Sequence, residues 1–461
     1  MALVIIFHLL MINLFQESSM NTAEKNQIKA AILSFHETCQ SCISGKVVRR
    51  FEFSVETLDL MSAFGSFPGE SRLYWSNREE TEVVIGFGVA DAVSDSICND
   101  TGAAMDLMTN KLHSCDKGVR FYGGIAFNQQ SDVAEEWDEF GAFQFVVPLI
   151  ELIKRNDSYF VAYNNTFSDL KHLVAILDSV FPEKSNDLIV VKDLHLKREF
   201  ASSEGQEPWC TMVRDVLDSF SDTLHKVVLA RKQPVVSDSV INTVDVMSPL
   251  FKRNHSTYNF CFEFLNGIAF VGSSPECLYK REFNTVYCEA VAGTCCVANG
   301  DHLSTSTKDL LEHSIVHEQI LKDLTSLCSV VSVPRERETL DLSELKHLFS
   351  SFSGSLKRGI TDSIILHALH PTAAVCGESR NQAMNKIVEL ESFSRGWYSG
   401  PVGWISSDSA EFAVAIRSAL VSSNTISVFG GAGIVEQSVP KQEWDETEQK
   451  MSQFFDILGC K

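Results

Sequence analysis

The chain has 461 residues, of which 44% are apolar and 21% charged, so it can bury a large core as one domain or two. Its net charge of −21 repels nucleic acid phosphates and anionic membranes, which argues against both partners. The 13 cysteines are an odd count without regular spacing, which favours free thiols over a disulfide framework. Cys39 and Cys42 form a CxxC motif that lacks a second pair, so we predict no structural zinc.

The first half of the chain predicts an antiparallel sheet with helices between its strands. Residues 1–23 include an apolar run that is shorter than a membrane span, and we expect them to be a poorly ordered leader. Closely spaced strands, which are typical of antiparallel sheets, are predicted over residues 47–55, 72–75, 81–89, 121–127 and 143–153, with helices at 24–44 and 106–114. The polar segment 192–208 is the best candidate for a boundary between a half of residues 24–208 and a half of residues 209–461.

The second half also mixes helices and strands. The predicted elements are helices over 209–224 and 306–327, strands over 226–234 and 286–292, and a hairpin of 258–264 and 268–273. In the long second helix, Glu312 lies at the edge of the apolar stripe, so its carboxylate should face inward and need a partner. His313 and His317 lie four residues apart, but the HExxH order is missing, so we predict no zinc site there.

Near the C-terminus a predicted strand runs into a glycine turn. Gly430, Gly431 and Gly433 allow a ligand to approach the backbone closely, with N–H groups available to it. After a break, Pro440 is suited to the first turn of a helix. The sequence therefore predicts a ligand-binding turn followed by a helix.

On that helix Glu443, Glu446 and Lys450 share one face. One interpretation is a solvated surface, where acids complement the helix dipole and pair with a lysine. The other is a Mg²⁺ site, where the carboxylates are hard oxygen ligands and Lys450 helps to bind an anion. The spacing alone leaves both interpretations open.

A series of motifs distinguishes between the solvated-surface and the Mg²⁺-site interpretations. In chain order they are KVVLARK (226–232), VGSSPECL (271–278), AVAGT (290–294), KDLLEH (308–313), HPTAAVCG (370–377), RGWYSGPVGW (395–404), AIRSAL (415–420), FGGAGIV (429–435) and EWDETEQK (443–450). This series resembles the chorismate-binding enzymes, the family of anthranilate synthase component I, and within it the isochorismate synthase branch. The resemblance covers roughly residues 209–455 and extends more weakly into the first half. It implies an α+β fold of two stacked, largely antiparallel β-sheets wrapped by α-helices.

The resemblance also implies residue roles. Lys226 would be the base that activates water, and Glu276 the acid that protonates the departing hydroxyl. Mg²⁺ would be held by Glu312 and Glu446, with Glu443 as a direct or water-mediated ligand. The implied substrate-binding residues are Gly293, Thr294, His370, Ala374, Val375, Tyr398, Arg417, Gly431, Gly433 and Lys450.

The chemistry of the family's substrate agrees with these roles. Chorismate carries two carboxylates, so an acidic protein needs a divalent ion and fixed cations such as Arg417 to receive it. Moving a hydroxyl from C4 to C2 requires a base and an acid on opposite sides of the ring. The lysine base must be neutral, whereas Glu276 must stay protonated and therefore be partly desolvated.

Four positions favour one branch of the family. Enzymes that use ammonia have Gln where Lys226 stands, so this chain should use water and need no glutaminase subunit. Ala292 replaces the nucleophilic lysine of the aminodeoxychorismate branch. The apolar residues Ala374 and Val375 favour release of isochorismate over elimination of pyruvate. A salicylate synthase or other chorismate lyase is the first alternative, and a non-catalytic chorismate-binding protein the second. We expect a soluble monomer, cytoplasmic or in a plastid stroma.

Overall fold

The computed structural model describes residues 20–41, 48–67, 71–98, 100–129, 134–166, 169–182, 196–198, 205–265, 267–296, 303, 305–341 and 345–459. Within these ranges no helix is both long enough and apolar enough to cross a membrane. The nine cysteines whose side chains are described are free thiols, whereas Cys42 lies outside the described residues. So does most of the predicted leader, although Thr22 and Ala23 already belong to the first helix.

Helices are interspersed among runs of consecutive strands along the described chain. The helices are α1 (Thr22–Ser41), α2 (Leu60–Gly65), α3 (Thr101–His113), α4 (Leu170–Val180), α5 (Gln206–Asp218), α6 (Thr243–Arg253), α7 (Thr307–Leu327), α8 (Asp362–Leu369), α9 (Arg380–Leu390) and α10 (Pro440–Ile457). The strands are β1 (Arg49–Val55), β2 (Arg72–Ser76), β3 (Glu82–Ser94), β4 (Phe121–Ile125), β5 (Phe143–Arg155), β6 (Ser158–Asn165), β7 (Leu196–Arg198), β8 (Lys226–Ser237), β9 (Tyr258–Leu265), β10 (Ile268–Ser274), β11 (Cys277–Glu282), β12 (Thr285–Cys296), β13 (Cys328–Asp341), β14 (Leu345–Leu356), β15 (Gly377–Glu378), β16 (Pro401–Ile405), β17 (Ser409–Val414), β18 (Ser418–Ser422) and β19 (Thr425–Ile434).

The strands pair antiparallel in one continuous ladder. One arm runs from β5 through β4, β16, β17, β11, β12 and β14 to β13. The other runs from β5 through β3, β2, β9, β10, β18 and β19 to β8. The α+β class with antiparallel sheets and covering helices is confirmed. The two predicted sheets are the two arms of this ladder, joined at β5.

The arms face each other across an aromatic core. Tyr122 of β4 and Trp404 of β16 belong to the same buried cluster as Phe260 of β9 and Phe270 of β10. Two further cores lie on the outer faces, one beneath α3, α5, α7, α8 and α9, the other beneath α1, α4, α6 and α10. The layers are therefore helix, strand, strand and helix, in which burial of apolar surface stabilises both faces of each arm.

Local sequence explains the two helices that reach the site. Ser306 caps α7, because its hydroxyl accepts a hydrogen bond from the Asp309 backbone N–H at 3.3 Å. Pro440 begins α10, where its missing N–H removes no helical hydrogen bond. The predicted glycine turn is wrong: Gly430, Gly431 and Gly433 lie inside β19, which pairs with β8 along its whole length. Close packing, rather than a turn, explains these glycines.

Candidate active site

A cleft of about 650 Å³, open to solvent, lies where β8, β12, β19 and α7 meet. Eleven of the predicted site residues line it: Glu276, Gly293, Thr294, Glu312, Ala374, Val375, Tyr398, Arg417, Gly431, Gly433 and Lys450. These residues come from motifs spread over 175 positions, from 276 to 450. The fold therefore brings most of the predicted residues to one place, although their roles stay predictions.

Lys226 and Glu312 form an ion pair at this cleft. Lys226 begins β8 and is fully buried, and its Nζ lies 3.0 Å from Glu312 Oε1. Gly433 of β19 packs against both side chains, since an added Cβ would lie 2.2 Å from Glu312 Oε1 and 2.9 Å from Lys226 Cε. Burial would raise the pKa of Glu312, but Lys226, Lys308 and Lys450 together lower it, so this carboxylate is ionised.

Glu276 is a buried acid on the connection between β10 and β11. Burial raises its pKa to about 8, Lys226 opposes the rise, and repulsion from Glu289 adds to it. At neutral pH the side chain is therefore mostly protonated. A protonated carboxyl group lining the cleft can donate a proton to a bound ligand.

An ion pair from the first half of the chain supports this segment. Arg78, between β2 and β3, binds Glu289 of β12 through both terminal nitrogens, one of them 3.1 Å from Oε1. Glu289 Oε2 in turn accepts a hydrogen bond from the backbone N–H of Cys277, 3.4 Å away and next to Glu276. The two halves thus share the structure around the acid.

Two carboxylates of α10 meet two lysines beside the cleft. Lys308 Nζ lies 2.6 Å from Glu443 Oε1 and 3.8 Å from Glu446 Oε2. Lys450 Nζ lies 2.7 Å from Glu446 Oε1 and donates a hydrogen bond of 2.9 Å to the carbonyl of Gly431. Glu443 is fully buried, so the interpretation of this helix face as a solvated surface is wrong for that residue. Burial, and then repulsion from Glu446, raises the pKa of Glu443 to about 7.

Glu312, Glu443 and Glu446 suit a cation, but in this structure they contact lysines. Among the described residues, no three His, Cys, Asp or Glu side chains are grouped closely enough to hold a metal ion. The Lys308 ammonium instead interacts with all three carboxylates: burial lowers its pKa, and Glu446, Glu443 and Glu312 raise it above its ordinary value. The three carboxylates that act on this ammonium group supply hard oxygen ligands, which are the ligands that Mg²⁺ prefers. In the type of their donor atoms the three residues therefore fit the predicted ion, although their side chains are not grouped around one point in this structure.

The opposite wall of the cleft carries a cation on a strained backbone. Arg417 and Ser399 line the cleft with φ angles of 51° and 63°, in the left-handed region that non-glycine residues rarely adopt. Such backbone is found at functional sites where the surrounding structure holds it. The ring of Tyr398 stacks on Phe429 with centroids 5.0 Å apart, which fixes that side of the cleft.

His347, a residue that the motifs do not include, also lines the cleft. Its Nδ1 lies 3.0 Å from Thr294 Oγ1, because β14 pairs with β12. Burial, together with the charges of Arg417 and Lys450, lowers the pKa of His347 well below its ordinary value, so the ring is neutral. The sequence around it, LKHLF (345–349), does not alternate regularly between apolar and polar residues, so no local signal placed this side chain inward.

One predicted substrate contact lies elsewhere. His370 is buried and absent from the cleft lining, and its Nε2 lies 3.3 Å from the carbonyl oxygen of Phe127. We therefore do not retain His370 as a substrate contact. Ala374 and Val375, which belong to the same motif as His370, do line the cleft as expected.

A family model described as chorismate binding enzyme matches residues 34–459. The chain belongs to the chorismate-binding enzyme family. It is 34% identical to isochorismate synthase 2, chloroplastic, of Arabidopsis thaliana, over 73% of this chain and 63% of that protein. It is 28% identical to the isochorismate synthase MenF of Bacillus subtilis, over 95% of this chain and 98% of that protein.

A solved structure of the family has the same fold. The menaquinone-specific isochorismate synthase MenF from Escherichia coli superimposes with a TM-score of 0.76 at 25% identity, over 93% of this chain and 100% of that one. The chain thus spans less than two thirds of the plant relative but nearly all of these bacterial relatives. The family and fold expected from the motifs are confirmed.

Proposed function

We propose that this protein is a Mg²⁺-dependent isochorismate synthase, which isomerises chorismate to isochorismate. The observation that supports this most directly is the cleft lined by Glu276, Glu312 and Lys450, with Lys226 buried beneath it and paired with Glu312. Relatives named isochorismate synthase from plants and bacteria support the same activity.

The base and the acid have separate tasks. Lys226 has to give up the proton that it holds in its ion pair with Glu312 before it can take a proton from a water molecule, whose oxygen bonds to C2 of the ring. Both ring double bonds shift, from C1=C2 and C5=C6 to C1=C6 and C4=C5, the C4–oxygen bond breaks, and Glu276 gives its proton to the departing hydroxyl, which leaves as water. One water is consumed and one released. The pKa of about 8 for Glu276 suits this task, because the carboxyl group carries its proton at neutral pH.

Other residues receive the two substrate carboxylates. Arg417 offers a planar fork that can bind a carboxylate through two hydrogen bonds, and Lys450 adds a point charge held by the carbonyl of Gly431. Glu312, Glu443 and Glu446 would hold Mg²⁺. The ion would supply positive charge to a substrate carboxylate in a protein of net charge −21.

Whether the product is isochorismate or salicylate depends on the cleft residues that would contact the side chain of chorismate that is lost as pyruvate. Ala374 and Val375 place apolar groups in the lining, which offer no proton donor or acceptor for elimination of pyruvate. This favours isochorismate synthase over salicylate synthase. Because water is the inferred nucleophile, no glutaminase subunit is needed, and a monomer suffices as the working unit.

The test is identification of the product formed from chorismate by the purified full chain, with Mg²⁺ and with EDTA. We expect isochorismate with Mg²⁺ and no conversion with EDTA. Equimolar pyruvate would assign a chorismate lyase instead. Lys226→Ala should abolish turnover, whereas Lys232→Ala, on the same strand and paired with Glu136 at 2.9 Å, should keep it. Full activity of Lys226→Ala would favour a role for this lysine outside catalysis.

A further inference from the structure

Lys308 occupies a position that its helix disfavours. It is the second residue of α7, where the helix dipole is positive and cations are destabilising. It lies there because α10 presents Glu443 and Glu446 to it, at 2.6 Å and 3.8 Å. The acidic site, not the helix, therefore determines where this ammonium group is held.

Each carboxylate of the site already contacts a lysine. Glu312, Glu443 and Glu446 lie 3.0, 2.6 and 2.7 Å from the side-chain nitrogens of Lys226, Lys308 and Lys450, respectively. A divalent cation that binds these carboxylates would bring positive charge next to the lysine nitrogens, which costs electrostatic free energy unless one of them moves away. One lysine therefore has to leave its carboxylate when a metal ion binds.

The three lysines differ in their freedom to leave. Lys226 is fully buried beneath the cleft, and Lys450 is tied by hydrogen bonds to both Glu446 and the carbonyl of Gly431. The side chains of Lys308 and Lys450 are equally exposed, at 20%, but Lys308 lies in the first turn of α7, so its ammonium can move into solvent. Removal of one partner from a buried ion pair is strongly destabilising, so Glu443 has to exchange Lys308 for another cation.

We propose that Lys308 is the resident counter-cation of the metal site, which neutralises Glu443 in the metal-free protein and is displaced when Mg²⁺ binds. This inference rests on the proposed Mg²⁺ dependence. Lys308 then competes with Mg²⁺ for Glu443, which weakens Mg²⁺ binding. While the ion is absent, Lys308 supplies the positive charge that the buried Glu443 carboxylate needs. It also couples metal binding to a movement in the first turn of α7.

The first test is calorimetric titration of MgCl₂ into the full-length protein without chorismate. We expect Lys308→Met to bind Mg²⁺ at least about tenfold more tightly than the unmodified chain, which corresponds to about 1.4 kcal/mol. Lys308→Arg keeps the charge and should stay within about threefold of the unmodified protein. Lys441→Met removes an exposed lysine from α10, paired with Asp445 at 2.5 Å, and should change nothing. Equal or weaker binding by Lys308→Met would overturn the inference alone, whereas no binding by the unmodified chain would overturn the proposed Mg²⁺ dependence as well.

A second measurement does not require a variant to fold. Acetic anhydride labelling of the unmodified protein, read by mass spectrometry, reports how accessible each lysine is. We expect labelling of Lys308 to rise several-fold at saturating Mg²⁺, while labelling of Lys441 stays constant. Unchanged labelling of Lys308 at a magnesium concentration that saturates the calorimetric signal would contradict the displacement.

Discussion

Replacing Glu276 by Gln should stabilise the protein in a manner that depends on pH. The folded chain raises the pKa of this carboxyl group from 4.5 to about 8, mainly through burial. Between these values the folded state keeps a proton that the unfolded state has lost, so stability is unaffected below pH 4.5 and falls as pH rises toward 8. At about 1.4 kcal/mol for each pH unit, the wild-type penalty is about 3 kcal/mol at pH 7 and about 5 kcal/mol at pH 9. Gln cannot ionise and avoids this penalty.

The assay is the urea midpoint of unfolding at pH 5, 7 and 9, for the wild type and Glu276→Gln. We expect the midpoints to be similar at pH 5 and the variant to be progressively more stable at pH 7 and pH 9, although it loses turnover because an amide cannot transfer the proton. The control is Glu282→Gln at the end of β11, the strand that follows Glu276, where the carboxylate is half exposed and paired with Lys280. If the difference in urea midpoint between the wild type and Glu276→Gln stays constant or becomes smaller as pH rises, Glu276 is not a buried acid with a raised pKa.

Three further substitutions probe the site. Gly433→Ala should lower chorismate turnover by about 100-fold, because its Cβ would lie 2.2 Å from Glu312 Oε1; unchanged turnover would contradict this packing. Thr294→Val removes the hydroxyl from His347 Nδ1 and should cost about 1–3 kcal/mol in urea unfolding, and an unaltered midpoint would show that this part-buried hydrogen bond contributes little. Arg395→Met breaks a fully buried ion pair and should cost about 3–5 kcal/mol, seen as a lower melting temperature; a loss below about 1 kcal/mol would show that the pair contributes little.

Elements with strong local signals could be predicted from the sequence. The N-cap and apolar stripe of α7 predicted a helix over 306–327, and the structure has it over Thr307–Leu327. The hairpin of β9 and β10 was expected over 258–273 and is found there. The inward carboxylate of Glu312 followed from its place beside that stripe, and the structure buries it. Periodicity and capping are local properties, which is why they could be recognised without the fold.

The parts that depend on tertiary contacts could not be predicted. Gly430, Gly431 and Gly433 indicated a turn, but cross-strand packing against β8 makes them part of a strand. Lys308 lay inside a recognised motif without an assigned role, because its partners are on a helix more than 130 residues away. His347 and the junction of the two arms at β5 likewise arise from long-range strand pairing. The proposed boundary at 192–208 falls largely outside the described residues.

Turnover of chorismate in ¹⁸O-labelled water with Mg²⁺ tests directly whether Lys226 directs water to the ring while Glu276 releases the C4 hydroxyl. We expect isochorismate that is two mass units heavier, with the label on the new C2 hydroxyl. Isochorismate without the label would contradict this expectation, because the original hydroxyl would then have moved between the two carbons without any attack by water.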